Sequence, residues 1–338
     1  MNRLVSFLGY SPRGIRPSEL NIQIVNENGP FGDTYVGYRI PKYAAIDTGL
    51  TDPRGNKIYF STIKDHVITS EHYYNMTLVN GVWKKYYEVL DATGEDFETF
   101  KLNIGSSIAD KMYTADNGIE IYVLDPDTGL FDNSWTAVND EIFLVSTDDA
   151  ARYKSIYNDN DKVYQIRLDE NKNYVLKFGN GIIGKKLKKG SRIYVFYLET
   201  NGLDANFTID DVVQTKFKFT HTKSLFGITT ALYNSIFGIS DDDDVKYYMN
   251  DLIEQNILVD SRSSTPKADE SVDDIRANAP VLFKIGNRLV TKSDYEFYMK
   301  DRYASSLIDV KCYNNYDYCT KFYKWLAYYA NLKHADVG

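Results

Sequence analysis

Residues 174–200 read Tyr-Val-Leu-Lys-Phe-Gly-Asn-Gly-Ile-Ile-Gly-Lys-Lys-Leu-Lys-Lys-Gly-Ser-Arg-Ile-Tyr-Val-Phe-Tyr-Leu-Glu-Thr, and this stretch decides which kind of fold the chain can form. Both ends are rich in β-branched and aromatic residues, which favour β-strands. Between them, residues 179–184 match the GxGxxG pattern, and Gly179 to Lys185 match most of a Walker A loop. Both motifs bind phosphate through amides at a helix N-terminus, so a helix must follow the glycines.

The residues after Gly184 leave no room for such a helix. Only residues 185–191 separate Gly184 from the next β-prone run, whereas a crossover between parallel strands takes a dozen or more residues. Lys186 also stands where a Walker loop has the serine or threonine that binds magnesium. A nucleotide-binding enzyme that uses Gly179–Lys185 is therefore kept only as an alternative interpretation.

The same stretch instead predicts a β-hairpin over residues 174–198, with Gly181 at the positive φ of a type I′ turn. The structural turn in this interpretation consists of Gly179, Asn180, Gly181 and Gly184. The lysines that follow form the one local positive patch on the chain, namely Lys185, Lys186, Lys188 and Lys189. This patch fits either a solvated hairpin tip or a docking point for an acidic partner.

Around this stretch, short β-prone runs alternate with turn signals, which is typical of an antiparallel sandwich or barrel. Asn80-Gly81 lies between two such runs and predicts another hairpin. After residue 220 the pattern becomes helical. We expect helices over residues 240–258, from Ser271 to Pro280 and from Ser293 to about residue 303, with a mobile polar loop over 262–269.

These patterns predict an α+β, multidomain fold in which β-rich sandwich or barrel domains precede a smaller helical region. The expected divisions are a β-rich domain at 1–95, a β domain at 96–215 that carries the hairpin, a helical region at 216–305, and an aromatic-rich segment at 306–338. We expect this last segment to be part of a truncated domain.

Composition excludes several classes of protein. The 338 residues are 43% hydrophobic and 14% aromatic, which allows a substantial core and is unlike a disordered chain. The net charge of −8 repels a phosphate backbone and argues against nucleic acid as a partner. Two cysteines are too few for a disulfide framework and fit a reducing compartment. The apolar runs are too short for a membrane helix, so we expect no membrane partner.

No other group of residues indicates catalysis or metal binding. Asp241–Asp244 lacks the ligand spacing of an EF-hand loop and is typical of a helix N-terminus. Cys312 and Cys319 do not have zinc-ligand spacing, and the four histidines form no HExxH pair. We therefore predict no catalytic residue, cofactor, metal or small-molecule substrate.

Aromatic residues are the most unusual part of the composition, with 29 tyrosines and 17 phenylalanines. A tyrosine combines a large apolar body with one polar tip, which suits half-buried strands and wet interfaces. Near the end of the chain, Phe322, Trp325 and Tyr329 lie at helical spacing. The predicted helix is aromatic on nearly every side and needs a covering surface, so these three residues are candidate interface residues.

Two blocks of sequence occur in the order found in one known family. The first runs from Phe178 to Lys185 and continues through Gly190–Gly202 to Ala205-Asn206. The second comprises Glu270–Arg276, Ala279-Pro280, Asn287–Thr291 and Asp294–Glu296. Together they resemble the baseplate-J-like proteins of contractile phage tails, and within that family they are most similar to the large baseplate wedge subunit.

The resemblance implies a structural protein with no catalytic residues. It implies a virion component that assembles in the host cytoplasm, forms a homo-oligomer (a dimer in the first instance) and binds other baseplate wedge proteins in a ring that rearranges when the tail contracts. Arg276 and Arg288 are candidate ion-pair residues at its interfaces. A glycan-binding tail module that uses Trp83 or Trp135 is the second alternative.

Overall fold

We describe the fold from a computed structural model. The structure describes residues 12–25, 39–40, 42–68, 73–104, 112–138, 157–169, 173–205, 218–220, 257–259, 263–285, 290–302 and 309–329. The chain divides into two compact units, residues 1–277 and 278–338. Strand-rich antiparallel sheets precede helices along the chain, which confirms the predicted α+β class.

The described strands, in chain order, are β1 (Glu19–Val25), β2 (Arg39–Ile40), β3 (Ala45–Thr51), β4 (Lys57–Ser61), β5 (His66–Val67), β6 (Tyr73–Asn80), β7 (Val82–Lys85), β8 (Leu90–Asp91), β9 (Thr99–Leu102), β10 (Tyr113–Leu124), β11 (Phe131–Asp132), β12 (Thr136–Val138), β13 (Val163–Leu168), β14 (Tyr174–Phe178), β15 (Arg192–Thr200), β16 (Lys218–Thr220) and β17 (Ile257–Val259). The described helices are α1 (Val272–Ile285), α2 (Lys292–Arg302) and α3 (Asn315–Tyr329).

The first sheet has the strand order β16-β3-β4-β6-β1-β17 and is antiparallel throughout. Alternate residues of β1 point to opposite faces, so Leu20, Ile22 and Ile24 share one buried face. Phe60 from β4 and Leu78 from β6 belong to the same core. The alternation of apolar and polar residues along these strands therefore accounts for the buried face of the first sheet.

The second and third sheets form the predicted sandwich. The second has the order β11-β10-β15-β7, with β8 also pairing with β15, and the third has the order β12-β13-β14-β9. Ile193 and Val195 of β15 share a buried cluster with Leu176 and Phe178 of β14. The pairs are antiparallel except for β12 and β13, which run parallel.

The central strand β15 is buried on both faces. Its other face carries Tyr194, Phe196 and Leu198, which pack in a separate cluster with Tyr43 and Trp83. A strand covered on both sides has no solvent face to alternate with, which explains the unbroken apolar run from Ile193 to Leu198.

The hairpin predicted over residues 174–198 is wrong. β14 pairs with β13 and β9 in the third sheet, whereas β15 pairs with β10, β7 and β8 in the second. Residues 179–191 therefore carry the chain from one layer of the sandwich to the other. A type I′ turn needs a positive φ at both central residues, and of Asn180 and Gly181 only Gly181 has one, at 82°.

The hairpin predicted at Asn80-Gly81 is wrong for a related reason. β6 belongs to the first sheet and β7 to the second, so the chain changes sheets at Gly81. Gly81 has a φ of 128°, and a Cβ there would lie 2.4 Å from the carbonyl oxygen of Glu199. The glycine is needed for close approach of two backbones and not for a tight turn between paired strands.

Strand pairing crosses two of the expected domain divisions. A cut at residue 95 would separate β7 and β8 from β15, the strand with which they pair. Lys218–Thr220 and Ile257–Val259, inside the expected helical region, are edge strands of the first sheet. Most of the helix expected over 240–258 lies outside the described residues, and its last two residues belong to β17.

The helical predictions are partly confirmed. α1 begins after Ser271, whose Oγ accepts a hydrogen bond from the Asp274 amide at 3.1 Å, as its capping pattern predicts. The prediction that Pro280 ends this helix is wrong, because α1 continues past Pro280 to Ile285, although an interior proline removes one backbone hydrogen bond and crowds the preceding turn. α2 is capped by Thr291, whose Oγ1 accepts from the Asp294 amide at 3.3 Å, and not by Ser293.

Residues 263–269, expected to be a mobile loop, hydrogen-bond to the segment before β1. The backbone amides and carbonyls of Arg16 and Lys267 are joined by two hydrogen bonds of 2.9 Å, and the Ser264 amide donates to Glu19. Ser263 is buried. The polar composition of this segment did not indicate these backbone hydrogen bonds.

Candidate functional site

The glycine loop, residues 179–185, has the tight geometry that its glycines suggested. The Gly181 amide donates to the carbonyl of Gly184 at 3.0 Å, and both residues have positive φ. A Cβ at Gly179 would lie 2.3 Å from the Gly184 carbonyl oxygen. Gly179, Gly181 and Gly184 are thus required by the loop itself, as the predicted structural turn implies.

The amides of this loop already have partners within the protein. The side-chain oxygen of Asn180 accepts from the amides of Ile182 at 3.0 Å and Ile183 at 2.8 Å. The amides of Gly184 and Lys185 donate to the carbonyls of Asn158 and Asp161. A phosphate cradle needs free amides at the start of a helix, and residues 185–191 contain no helix. The nucleotide-binding interpretation therefore has no site here.

Two of the four lysines in the patch that follows the loop pair with aspartates. Lys186 Nζ lies 2.6 Å from Asp96 Oδ1, and Lys188 Nζ lies 2.8 Å from both Asp125 Oδ2 and Asp127 Oδ2. The hydrogen bonds that the two lysines donate to these carboxylates raise the pKa of both lysines. The patch therefore presents less positive charge than its sequence suggests, and a docking role for it, including Lys185 and Lys189, stays a prediction.

A buried polar cluster joins the first sheet to the second where the chain changes sheets. Asn80 Oδ1 accepts from Thr200 Oγ1 at 2.6 Å and from the Asn201 amide at 3.2 Å. Asn80 Nδ2 donates to the Tyr59 carbonyl at 3.0 Å. All three polar residues Asn80, Thr200 and Asn201 are fully buried. Together with Asp52 we call them the polar junction.

Asp52 connects the polar junction to the loop between β3 and β4. Its Oδ2 accepts from Asn201 Nδ2 at 3.1 Å and forms an ion pair with Arg54 at 3.2 Å. Burial raises the pKa of Asp52, but hydrogen bonds from Asn201 and Asn56 outweigh it, so the pKa is below its ordinary value. The carboxylate is therefore held charged in the folded protein.

The sequence did not single out the polar junction as a site. Thr200-Asn201-Gly202 belongs to the first block of the family resemblance, but its partner Asn80 is 120 residues away and was assigned to a hairpin turn. Both places carry an Asn-Gly pair, Asn80-Gly81 and Asn201-Gly202, but the same pair occurs at three other positions and so did not mark them. Only the pairing of β7 with β15 brings the two pairs together.

A second contact between these two sheets centres on Tyr43. Its ring is buried between Trp83 and Phe196, with centroids 4.6 Å and 6.1 Å away. Its hydroxyl donates to Glu120 Oε2 and lies 2.9 Å from the Tyr122 hydroxyl. Burial, followed by the negative charge of Glu120, raises the pKa of Tyr43. The phenol therefore stays protonated and holds the carboxylate as a structural acceptor.

The two tryptophans proposed for glycan binding are buried. Trp83 is 2% exposed and packs against Tyr43, and Trp135 is 9% exposed and packs against Phe178 at 5.4 Å. A sugar stacks on a ring face that is open to solvent, so neither tryptophan can serve that purpose. The glycan-binding alternative loses the residues on which it depended.

The remaining candidate interface residues fall into three groups. Arg276 is exposed and pairs with Asp273 of its own helix at 3.2 Å. Arg288 lies outside the described residues. Phe322, Trp325 and Tyr329 are exposed on α3, as expected for a helix that lacks a covering surface. An interface role for any of them stays a prediction.

Within the described ranges, no group of histidine, cysteine and acidic residues has the arrangement of a metal site. Cys312 and Cys319 are free thiols and half-buried. His66 is buried, and its Nδ1 lies 3.1 Å from the Tyr74 hydroxyl. No helix among those the structure describes is both long and apolar enough to cross a membrane.

Comparisons with known proteins find similarity to solved structures. No protein-family model matches the chain, and no curated protein matches it. The chain is similar to a chain in the cryo-EM structure of the anti-feeding prophage (AFP) baseplate, 6-fold symmetrised. That similarity has 11% sequence identity and a TM-score of 0.27, and it covers 89% of this chain and 46% of the other. The chain thus spans less than half the length of the chain it matches.

Proposed function

We propose that this chain is a structural subunit of a bacteriophage tail baseplate wedge. In this role it self-associates, as a dimer in the first instance, and binds neighbouring wedge proteins to form a ring that changes geometry when the tail contracts. It is assembled in the host cytoplasm, resides in the virion and performs no catalysis. The proposal rests first on the two blocks of sequence that resemble the baseplate-J-like family.

The observation that carries the proposal is that the described residues of the first block make their contacts within the protein. The amides of residues 181–185 donate hydrogen bonds within the protein, Ile193–Leu198 are buried on both faces, and Asn201 links two sheets. The described parts of the block thus make contacts within the fold, which supports a structural role for this block.

Antibody labelling of purified particles tests this function. We expect gold-labelled antibodies against the chain to decorate the tail end that is distal to the head, in both extended and contracted particles. Antibodies against the major capsid protein of the same particles serve as the matched control for access and background. Label confined to the head, or particles that lack the chain altogether, would contradict the proposal.

A further inference from the structure

The segment that precedes β1 lies between β10 and the segment that precedes α1. We call residues 13–18 the strap and residues 263–270 the connector. One edge of the strap contacts β10, where the Asp116 amide donates to the Ile15 carbonyl at 2.7 Å. The other edge pairs with the connector, which leads directly into α1. The strap therefore links the second sheet to the start of the helical region.

The strap and the connector run antiparallel and are joined at two points. At the first, Arg16 and Lys267 exchange two backbone hydrogen bonds of 2.9 Å. At the second, the Glu270 amide donates to the Arg13 carbonyl, and the Arg13 amide donates to Glu270 Oε2, both at 3.1 Å. Whatever holds the strap on β10 therefore also helps to hold the connector.

The side chain of Asp116 is enclosed where the strap crosses β10, and only 16% of it is exposed. A Cβ added at Gly14 of the strap would lie 2.9 Å from the hydroxyl oxygen of Tyr174 and 3.5 Å from Asp116 Cβ. The absence of a side chain at Gly14 thus allows the strap to approach this closely. The strap in turn covers the carboxyl group of Asp116.

Charged and titratable groups face Asp116 from each element that packs against it. The strap contributes Arg13 and Arg16, and the connector contributes Glu270. Strand β14 contributes Tyr174, which stays protonated because burial raises the pKa of its phenol. Arg16 Nε lies 3.9 Å from Asp116 Oδ2, too far for a hydrogen bond. An ionised Asp116 is therefore only partly compensated for its burial.

Burial decides which form of Asp116 the closed strap favours. It is the largest influence and raises the pKa of Asp116, although the Gly14 amide and the two arginines favour the ionised form. Behind these groups, Lys267 faces the arginines and Asp269 faces Tyr174, with opposite charges. When the strap lifts away, water solvates the carboxyl group and its pKa returns to the ordinary value. Proton binding and strap closure therefore favour each other.

We propose that the strap is a latch that closes in acid and loosens towards neutral pH, with Asp116 as the group that binds the proton. A neutral carboxyl group suits the enclosed position beneath the strap, whereas an ionised one is better solvated by water. Because the strap also holds the connector, the same proton fixes the segment that leads into α1. This inference goes beyond the proposed function, since the latch is a property of the single chain.

Hydrogen–deuterium exchange of the full chain, measured by mass spectrometry, tests the latch. Peptides that cover the strap and the connector are followed from about pH 7 to about pH 4, just above the ordinary pKa of an aspartate. Each exchange rate is divided by that of the unfolded chain at the same pH. We expect protection of both peptides to rise by at least about threefold as the pH falls, and by no more than about tenfold per pH unit, the limit for one proton.

The buried strand β15 is the internal reference and should gain no protection in acid. Protection of the strap that falls in acid would show that the ion pair between Arg16 and Asp116 dominates, and it would overturn the proposal. Protection that does not change with pH would overturn it as well. The parent chain alone decides between these results.

Two variants identify the group that binds the proton. Asp116→Asn is neutral at every pH and keeps the size of the side chain, so it should protect the strap and the connector at about pH 7 as strongly as acid does, with no further pH dependence. Asp91→Asn is the matched control, because Asp91 is exposed on β8 and pairs with Arg192 at 3.3 Å. It should leave the pH profile unchanged.

Weaker protection of the strap in Asp116→Asn, or loss of the pH dependence in Asp91→Asn, would refute the role of Asp116. Circular dichroism verifies that both variants are folded. Antibody labelling of particles does not depend on the latch, so either result for the latch leaves the test of the proposed function intact.

Discussion

Replacing Asn80 with alanine should destabilise the protein by about 4 kcal/mol. The change removes the acceptor of the Thr200 hydroxyl and of the Asn201 amide, two donors that are fully buried. Leaving a buried donor without a partner costs about 1–3 kcal/mol, and two donors are affected. The Tyr59 carbonyl also loses a donor, but it keeps the Gly81 amide at 2.8 Å and adds little.

Urea unfolding followed by tryptophan fluorescence measures this loss, because Trp83 and Trp135 are buried in the unit that contains Asn80. Asn75→Ala is the control on the same strand. The Asn75 side chain is exposed and accepts a hydrogen bond from the half-buried Gln23, so its removal should change stability by less than about 0.5 kcal/mol.

A double-mutant cycle tests the reasoning more closely. Thr200→Val removes one of the two orphaned donors, so it should cost less in the Asn80→Ala background than in the parent protein, by about 1 kcal/mol. Equal effects of Asn80→Ala and Asn75→Ala, or strictly additive effects of Asn80→Ala and Thr200→Val, would show that the polar junction does not hold the two sheets together.

Three further predictions follow from the geometry. Gly181→Val should lower the free energy of unfolding by about 1–2 kcal/mol in a thermal melt, because valine must adopt a φ of 82°. Ile182→Val, at the exposed neighbouring residue, is the control and should leave the free energy of unfolding unchanged in the same experiment. Titration calorimetry with ATP, GTP or NAD should show no binding heat, because the loop amides already donate hydrogen bonds within the protein. Saturable binding at micromolar affinity that Gly181→Val abolishes would reverse this conclusion. Burial lowers the pKa of His66, so the folded protein binds fewer protons than the unfolded chain below about pH 6.5, and stability should fall as pH drops through that value. His66→Phe should flatten this slope in urea unfolding at a series of pH values, and an unchanged slope would exclude His66 as its source.

The sequence supplied the class of structure but not the connections between its layers. Strand-forming runs such as Ile193–Leu198 were recognisable because side-chain type and strand propensity are local properties. The two hairpins were wrong because a glycine-rich turn signals only that the chain bends. Whether the flanking strands then pair with each other or with other strands depends on contacts between segments far apart in the sequence, such as β7 and β15.

The same difference between local and distant contacts applies to the candidate functional site. The helix missing after Gly184 could be predicted, since it required only the length and composition of the next seven residues. Neutralisation of Lys186 and Lys188 could not, because their aspartate partners lie 90 and more than 60 residues earlier in the chain. Asn80 was visible as a residue of a turn, but its role as a buried acceptor arises only when β7 reaches β15.

A cryo-EM reconstruction of the tail end of particles that contain this chain is the most direct test of its assignment to the baseplate. We predict density for the three larger sheets of residues 12–259 in every wedge of the ring, with Asn80 and Asn201 in contact in the extended and the contracted state alike. Density for the chain in the head, neck or sheath, with none in the ring, would contradict the assignment.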